Sequence, residues 1–306
     1  MALNRHWRAV AAAAMVCLFK VGGALGQDME PRAFSASPIN TNFLIVNYLR
    51  TTGSVSIDPS LPITGAKASI DAGSIGYNRT FDLFGRSASA AIVVPYFQGE
   101  LSGRVLGDGT KVSRSGVGDL GLRLTANLYG NPALPLEQFI KQRPTTTVGV
   151  ALTVKAPTGD YNPTHFVNIG ANRWAVKPEL GLTQSIGDWF ADAAAGVWLF
   201  GDNGDFPGGR VRGEDPLFVV QAHGGYNFRP GLWLAADAVY YSGGETSINR
   251  IAKQDDQAVS RYGVTLSVPL TDDVSAKFGW ATWLTARNGG NYDTIGVTLQ
   301  YRWFDR

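Results

Sequence analysis

Cysteine is nearly absent from this sequence: Cys17 is the only one in 306 residues. Residues 1–26 read as an export leader. Arg5 and Arg8 form the positive start, residues 10–19 an apolar run, and Ala24-Leu25-Gly26 a small-residue cleavage site. Removal of the leader removes the thiol, which excludes a disulfide or a cysteine nucleophile in the mature chain. A lipid anchor on Cys17 is disfavoured, because Val16 stands where a small residue would be needed. Net positive charge is also lacking. The 27 basic and 25 acidic residues give +2, but Arg5, Arg8 and Lys20 leave with the leader, so 24 against 25 gives −1. No concentrated basic patch remains, which argues against a nucleic-acid partner. Histidine falls from three to two, His165 and His223. Two separated histidines without cysteine supply no zinc set, and G-x-S-x-G is missing. Beyond the leader no apolar run reaches the ~18 residues that signal a helical membrane span.

What the mature chain has is period-two alternation, over 306 minus 26, or 280 residues. Ile295, Val297, Leu299, Tyr301 and Trp303 share one face of an extended segment; Thr294, Gly296, Thr298, Gln300 and Arg302 share the other. Leu120, Leu122 and Leu124 likewise oppose Asp119, Gly121 and Arg123, and Phe218, Val220 and Ala222 oppose Val219, Gln221 and His223. About twelve such segments recur, each near the ~9–11 residues of a tilted membrane strand. They fall near 42–51, 67–81, 87–102, 117–129, 145–157, 174–186, 189–200, 216–228, 232–242, 258–269, 274–284 and 292–304. In 67–81, Ile75 and Tyr77 share a face with Asp71 and Arg79, which leaves its orientation open.

Short connections at 187–188, 229–231 and 270–273 alternate with long ones at 52–66, 103–116, 158–173, 201–215, 243–257 and 285–291. Short periplasmic turns and long external loops have this rhythm. One connection breaks it: in 131–144, Leu136, Phe139, Ile140 and Arg143 have helical spacing and predict a small amphipathic helix below the barrel, or a plug or partner contact. The alternation predicts an all-β, antiparallel, up-and-down transmembrane barrel of about twelve strands in a single domain. The layout is a leader at 1–26, an N-terminal periplasmic segment at 27–41 and the barrel at 42–306. A soluble β-sandwich has the same alternation turned inside out. Against it stand the strand lengths and the Tyr and Trp near strand ends, such as Tyr96, Trp174, Trp189, Tyr240, Tyr301 and Trp303. Thr294, Gly296, Leu299 and Tyr301 also match an outer-membrane assembly signal of polar-x-Gly-x-x-apolar-x-apolar form.

An ordered series of short motifs adds a family resemblance. It begins with Pro38-Ile39-Asn40-Thr41-Asn42-Phe43 and Asp58-Pro59-Ser60-Leu61-Pro62. Phe81-Asp82-Leu83-Phe84-Gly85-Arg86, Val94-Pro95-Tyr96 and Gly116-Val117-Gly118-Asp119-Leu120 follow. Later come Asn168-Ile169-Gly170-Ala171-Asn172-Arg173-Trp174, Lys177-Pro178-Glu179 and Asp215-Pro216-Leu217. In these the chain resembles, over nearly its whole mature length, the outer-membrane family named for a MetA pathway of phenol degradation. The resemblance implies an outer-membrane location in a Gram-negative bacterium and a transporter-like role tied to aromatic catabolism. It implies no catalytic residues.

Alternation places Asp119, Arg123, Lys155, Lys177, Glu179, Asp192, Gln221, His223, Asp237, Arg261, Lys277 and Arg302 on the lumen side. Paired charges that stiffen the interior and a lining that selects solutes are both consistent with this set. Twelve strands lie between filled eight-stranded and open sixteen-stranded barrels, so a narrow passage for small solutes is expected. The reading is a passive outer-membrane channel for small solutes, aromatic or hydrophobic ones among them, with outer-membrane lipid and the barrel-assembly machinery as partners. No cofactor, metal or catalytic residue is expected. A structural or adhesive barrel acting through its loops is the alternative. A barrel hydrolase using His165 or His223 ranks below both, because no triad partner is apparent. Asp202, Asp205, Glu214 and Asp215 share a glycine-rich loop, and solvated carboxylates are the simpler account of them than calcium ligands.

Overall fold

The computed structural model describes residues 29–35, 37–54, 63–105, 108–142, 146–165, 167–288 and 291–305. The leader expected at 1–26, with Cys17, lies outside the described residues. In chain order the first strands are β1 (Thr41–Ser54), β2 (Ile63–Leu83), β3 (Arg86–Val105), β4 (Asp108–Val117), β5 (Leu120–Tyr129) and β6 (Thr147–Ala156). Between β5 and β6 lies the one-turn helix α1 (Leu136–Phe139). Then come β7 (Ala175–Ile186), β8 (Trp189–Phe200), β9 (Asn203–Phe206), β10 (Arg210–Glu214), β11 (Leu217–Arg229) and β12 (Leu232–Gly243). The last are β13 (Thr246–Ile248), β14 (Ile251–Ala252), β15 (Gln257–Pro269), β16 (Val274–Arg287) and β17 (Asn291–Phe304).

Twelve wall positions close into an antiparallel barrel. Closure is made by β1 on β17, in register from Thr41↔Phe304 to Ser54↔Asn291, while β2 pairs with both β1 and β3. A free edge in hydrocarbon would cost several kcal/mol per unpaired backbone group, and closure removes it. The fourth wall position is split. β5 pairs with the inner half of β3 (Ala88↔Ala126 to Val93↔Gly121) and β4 with its outer half (Tyr96↔Val117 to Val105↔Asp108). The break at Gly118-Asp119 faces Pro95, which has no N–H to donate and only accepts from the Gly118 amide at 2.8 Å. The stretch 103–116, expected as a loop, is therefore largely strand. Its alternation is polar on both faces above the membrane, which hides it from a hydrophobic-period reading.

The short turns and both ends of the barrel share one rim. Gly187 and Gly231 sit there at φ +60° and +79°, the left-handed geometry that tight turns take from glycine. At the other rim two expected loops are partly strand. β9, β10, β13 and β14 form a small separate sheet, joined across loops by Arg212↔Ile248 and Glu214↔Thr246. Pairing between two loops far apart in sequence leaves no local period. At the turn rim, α1 confirms only one turn of the helix suggested by 131–144, and Arg143 lies outside the described residues.

Leu44, Val46, Ile75, Ile92, Val94, Leu122, Leu124, Leu152, Leu180, Leu182, Val220, Leu234, Val264, Phe278, Ile295, Val297 and Leu299 are exposed. In-register pairs such as Val46↔Leu299, Val46↔Ile75 and Leu122↔Val154 show that they form one outward belt. Tyr301 stacks on Trp303 beside Tyr77 near the turn rim, and Trp189, Tyr226 and Phe228 meet edge to face there, in the manner of an interfacial girdle. An apolar outside and a polar inside make this a transmembrane barrel and exclude the sandwich. The unassigned segment 67–81 resolves the same way: Ile75 and Tyr77 face outward, and the charges on their face sit toward the strand ends. Asp71 there pairs with Arg50 at 3.0 Å and Arg79 with Asp305 at 2.7 Å.

Candidate lumen site

The interior has two unlike walls. On β5, β6, β7, β8, β11 and β12 the inward positions carry ionisable groups. Arg123 on β5 reaches over β6, donating to Thr153 Oγ1 at 3.0 Å, and meets Glu179 Oε2 on β7 at 2.5 Å. Lys177 Nζ stands 3.2 Å from the other Glu179 oxygen, so one buried carboxylate serves two cations. On β11 and β12, His223 Nδ1 is 2.7 Å from Asp237 Oδ1 and its Nε2 is 3.2 Å from Gln221 Oε1; Thr265 donates to Asp237 Oδ2 at 2.6 Å. Buried charge is tolerable here because each such group has a partner. Arg261 donates to Thr294 Oγ1 at 3.0 Å, and Thr294 shares a 3.0 Å hydroxyl contact with Thr51.

Toward the loop rim this wall becomes apolar. Trp198, Leu217, Val219, Val239, Tyr241 and Val259 form one buried cluster inside the barrel, against Met29 and Phe200. Lys155 and Lys177 bring their ammonium groups to 4.9 and 5.0 Å from the Trp198 ring, within cation–π range. Toward the turn rim, Phe190 and Trp233 meet edge to face at 5.7 Å.

The N-terminal segment, expected to lie in the periplasm, instead runs inside the barrel along this wall. The Arg32 amide donates to Asp192 Oδ2 at 2.8 Å and its guanidinium to Asn227 Oδ1 at 3.0 Å. The same guanidinium lies over Phe190 and Trp233, at 4.6 and 5.7 Å. Phe34 is buried against Ala151 and Ala194. Glycine makes its seat: a Cβ on Gly181 would fall 2.2 Å from the Phe34 ring, and one on Gly149 at 2.7 Å. The segment, called the strap below, is tied at its end by Ile39 N to Leu134 O at 2.9 Å and Asn40 N to Thr80 O at 3.0 Å.

The opposite wall, β1, β2 and β3, presents no ionisable side chain inward among the described residues. Phe43, Ile45, Asn47, Leu49 and Thr51 face in from β1, beside Asn78, Gly76, Ser74, Ala72 and Ile70 of β2. Ser89, Ala91 and Val93 continue the surface on β3. Between this wall and the strap lies a cavity of about 220 Å³, lined by Arg32, Phe34, Ser35, Phe43, Asn78, Thr125, Asn127 and neighbours.

Most of the ionisable set expected at the lumen is on the first wall, but four members are elsewhere: Arg261 on β15, Lys277 on β16, Asp119 and Arg302. Asp119 sits at the β4–β5 break, where its carboxylate accepts from Gly159 N and Ala171 N, each at 2.9 Å, and clamps the loop at 157–174. Arg302 lies at the turn rim, bound to the Asp272 carbonyl at 2.7 Å. Lys277 projects from β16 toward Trp233, 5.8 Å from its ring. Thr294 and Gly296 face inward while Leu299 and Tyr301 face out. In the mouth loops, Tyr161 donates to Asp205 O at 3.0 Å and accepts from Asn203 at 2.9 Å; burial raises its phenol pKa. Glu214 of the glycine-rich loop is ion-paired with Arg173. Among the described residues no group of three His, Cys, Asp or Glu could hold a metal. The strap residues Arg32 and Phe34 were not legible as site residues. The paired glycines at 149 and 181 were the only trace of them.

The family described as "Putative MetA-pathway of phenol degradation" matches residues 50–299. The chain belongs to this family. The match covers the whole wall from the end of β1 to the middle of β17, both faces of the lumen included. As a family member it is also similar in structure to an outer membrane channel from Pseudomonas putida F1. They share 22% identity over 90% of this chain and 100% of that one, with a TM-score of 0.76. The β domain of the Bordetella autotransporter BrkA is similar at 12% identity, 86% and 99% coverage and a TM-score of 0.51. At such identities the shared property is the barrel fold. No curated protein sequence matches the chain.

Proposed function

We propose that this family member is a passive outer-membrane channel for small solutes, aromatic or hydrophobic ones among them. One observation carries the reading: a closed barrel with a lipid-facing belt encloses an interior that changes along its length from an apolar, aromatic shelf at Trp198 and Tyr241 to a polar cavity beside the strap. A purely structural barrel has no need of a graded interior. The shelf suits apolar rings, and the lysines above Trp198 give it a positive edge. Lumen-lining roles fall to Arg123, Lys155, Lys177, Glu179, Asp192, Gln221, His223, Asp237 and Arg261. The outer membrane channel from Pseudomonas putida supports the reading by its fold, and the family description supports an aromatic solute. A catalytic role for His223 is disfavoured, since Asp237 and Gln221 engage both ring nitrogens. Thr294, Gly296, Leu299 and Tyr301 on the closing strand are the proposed contact for the assembly machinery.

The test is conductance in planar bilayers, together with entry of benzyl alcohol and toluene into proteoliposomes. Folded protein, identified by its heat-dependent gel mobility, should give discrete conductance steps and faster solute entry than protein-free vesicles. A folded barrel with neither would overturn the proposal. The external sheet of β9, β10, β13 and β14, with Val211 and Ile251 exposed, favours a second, loop-mediated adhesive reading. Deleting residues 244–256 should then abolish surface binding and leave conductance unchanged.

A further inference from the structure

The cavity between the strap and the β1–β3 wall is not explained by packing. Its volume, about 220 Å³, would hold about seven waters at their ~30 Å³ share of the liquid, or one single-ring molecule. Its walls are hydroxyls and amides with the Arg32 guanidinium and five apolar side chains, of which Phe34 and Ala33 belong to the strap and Phe43, Ile45 and Ala88 to the barrel. Three of its lining groups, Ser35 Oγ, Asn78 Oδ1 and Asn127 Oδ1, are buried and have no protein hydrogen-bond partner. A buried acceptor without a partner costs about 1–3 kcal/mol; as the side chains stand these atoms lie just under the cavity surface, and rotation of the terminal amides turns Asn78 and Asn127 toward it.

Position says what the cavity is for. The strap is fastened to the opposite wall by Arg32 on Asp192 and Asn227 and by Phe34 on the glycine floor. The cavity is the space that this one-sided anchoring leaves. It lies by the turn rim, next to Ser37, Thr80 and Ser87. Above it the inward positions of β1, β2 and β3 continue uncharged through Asn47, Ser74, Gly76, Ala91 and Val93.

Resting on the channel reading, we propose that this cavity is the periplasmic leg of the passage and a binding site for small neutral solutes that carry a hydroxyl donor. Solute passes between the strap and the β1–β3 wall. Phe43 and Ile45 cover its apolar part, and Asn78 and Asn127, their terminal amides turned toward the cavity, accept from its hydroxyl. An ionised solute gains little on this side, where no countercharge faces in except Arg32 at the strap.

Cysteine placement tests the route, because the mature chain has no thiol of its own. Ser89→Cys and Thr125→Cys are near-isosteric changes in the cavity wall. Treatment of either variant with a trimethylammonium-ethyl methanethiosulfonate should cut single-channel conductance at least twofold, and reduction should restore it. Thr153→Cys, under Arg123 on the other wall, should respond weakly. Labelling at Ser89→Cys or Thr125→Cys, seen by mass, without a conductance change would show a blind pocket. Absence of labelling would show a sealed one. Either result overturns the proposal, while silence of the wild-type channel would instead overturn the channel reading beneath it. For the solute class, Asn78→Leu with Asn127→Leu should slow benzyl alcohol entry about fivefold and leave toluene entry within twofold. Equal slowing of both would reject the hydroxyl site.

Discussion

The two walls of the lumen obey the same antiparallel register rules, yet they hold the interior in different ways. The β5–β12 wall is charged, aromatic and glycine-floored, and its ion pairs are made within the wall while Asp192 also holds the strap. The β1–β3 wall is uncharged, joined by local contacts such as Thr298 to Asn47 at 2.6 Å and Asn47 to Ser74 at 3.0 Å. The difference teaches that lumen charge in this barrel is first a fastening device. Charges cluster where an internal segment must be gripped and are missing where space is left. A lining that selected ions would instead ring the whole circumference.

Glu179→Leu should have the largest effect. It removes the carboxylate shared by Arg123 and Lys177 and leaves two cations side by side, Lys177 buried and Arg123 partly so. Breaking a buried pair costs about 3–5 kcal/mol, so the temperature at which the barrel loses its compact gel mobility should fall markedly. A shift no larger than that of a β1–β3 wall variant would break the comparison. Next comes Gly181→Leu, whose Cβ would displace the Phe34 ring. The strap should leave its seat and conductance should rise severalfold. Gly76→Ala on the other wall, where the Cβ would meet a Val93 methyl at 3.3 Å and otherwise make ordinary contacts with Ile92 O and Ile45, should leave conductance near that of the wild type.

The same contrast explains what could be read from the sequence. The outward belt repeats every second residue against a uniform solvent, lipid, so the period of each wall strand survives in the sequence and marks its position to within a few residues. Leu120 to Leu128 and Ile295 to Trp303 are the plainest cases. Inward positions answer to individual neighbours instead. Alternation puts Glu179 and Arg123 inside, but their meeting across β6 depends on register and tilt. The strap was illegible because residues 29–40 have no period of their own. Its signal lies 115 or more positions away, in small residues at 149 and 181 that look like ordinary β-strand glycines until Phe34 is placed over them. Asp119 misled for a related reason: alternation carries no mark of the break that turns it from the lumen to the Gly159 and Ala171 amides.

Arg32→Ala tests the grip itself. It deletes the bond to Asn227 and the stacking on Phe190 and Trp233 but keeps the backbone bond to Asp192. A charged hydrogen bond and a desolvated cation–π contact together contribute about 2–3 kcal/mol, less whatever water returns to the freed groups. Released about 1–2 kcal/mol more easily, the strap should fluctuate, and the fraction of time in a high-conductance state should rise about five- to thirtyfold. Asp192→Ala should act in the same direction, and the double variant should fall short of the sum, since both loosen one contact.

Thr298→Val, on β17 where it bonds to the uncharged wall, is the matched change and should have the smallest effect. Its hydroxyl donates to Asn47, which is itself bonded to Ser74, so the substitution shortens a chain of neutral hydrogen bonds by one link. Such a bond contributes about 0.5–1.5 kcal/mol net. Asn47 faces the lumen, where water can take the lost place, so the cost should lie at the low end and conductance should not change. If Thr298→Val instead opened the channel as Arg32→Ala is expected to, the β1–β3 wall would also be holding the strap. One-sided fastening would then be the wrong account of why space remains beside it.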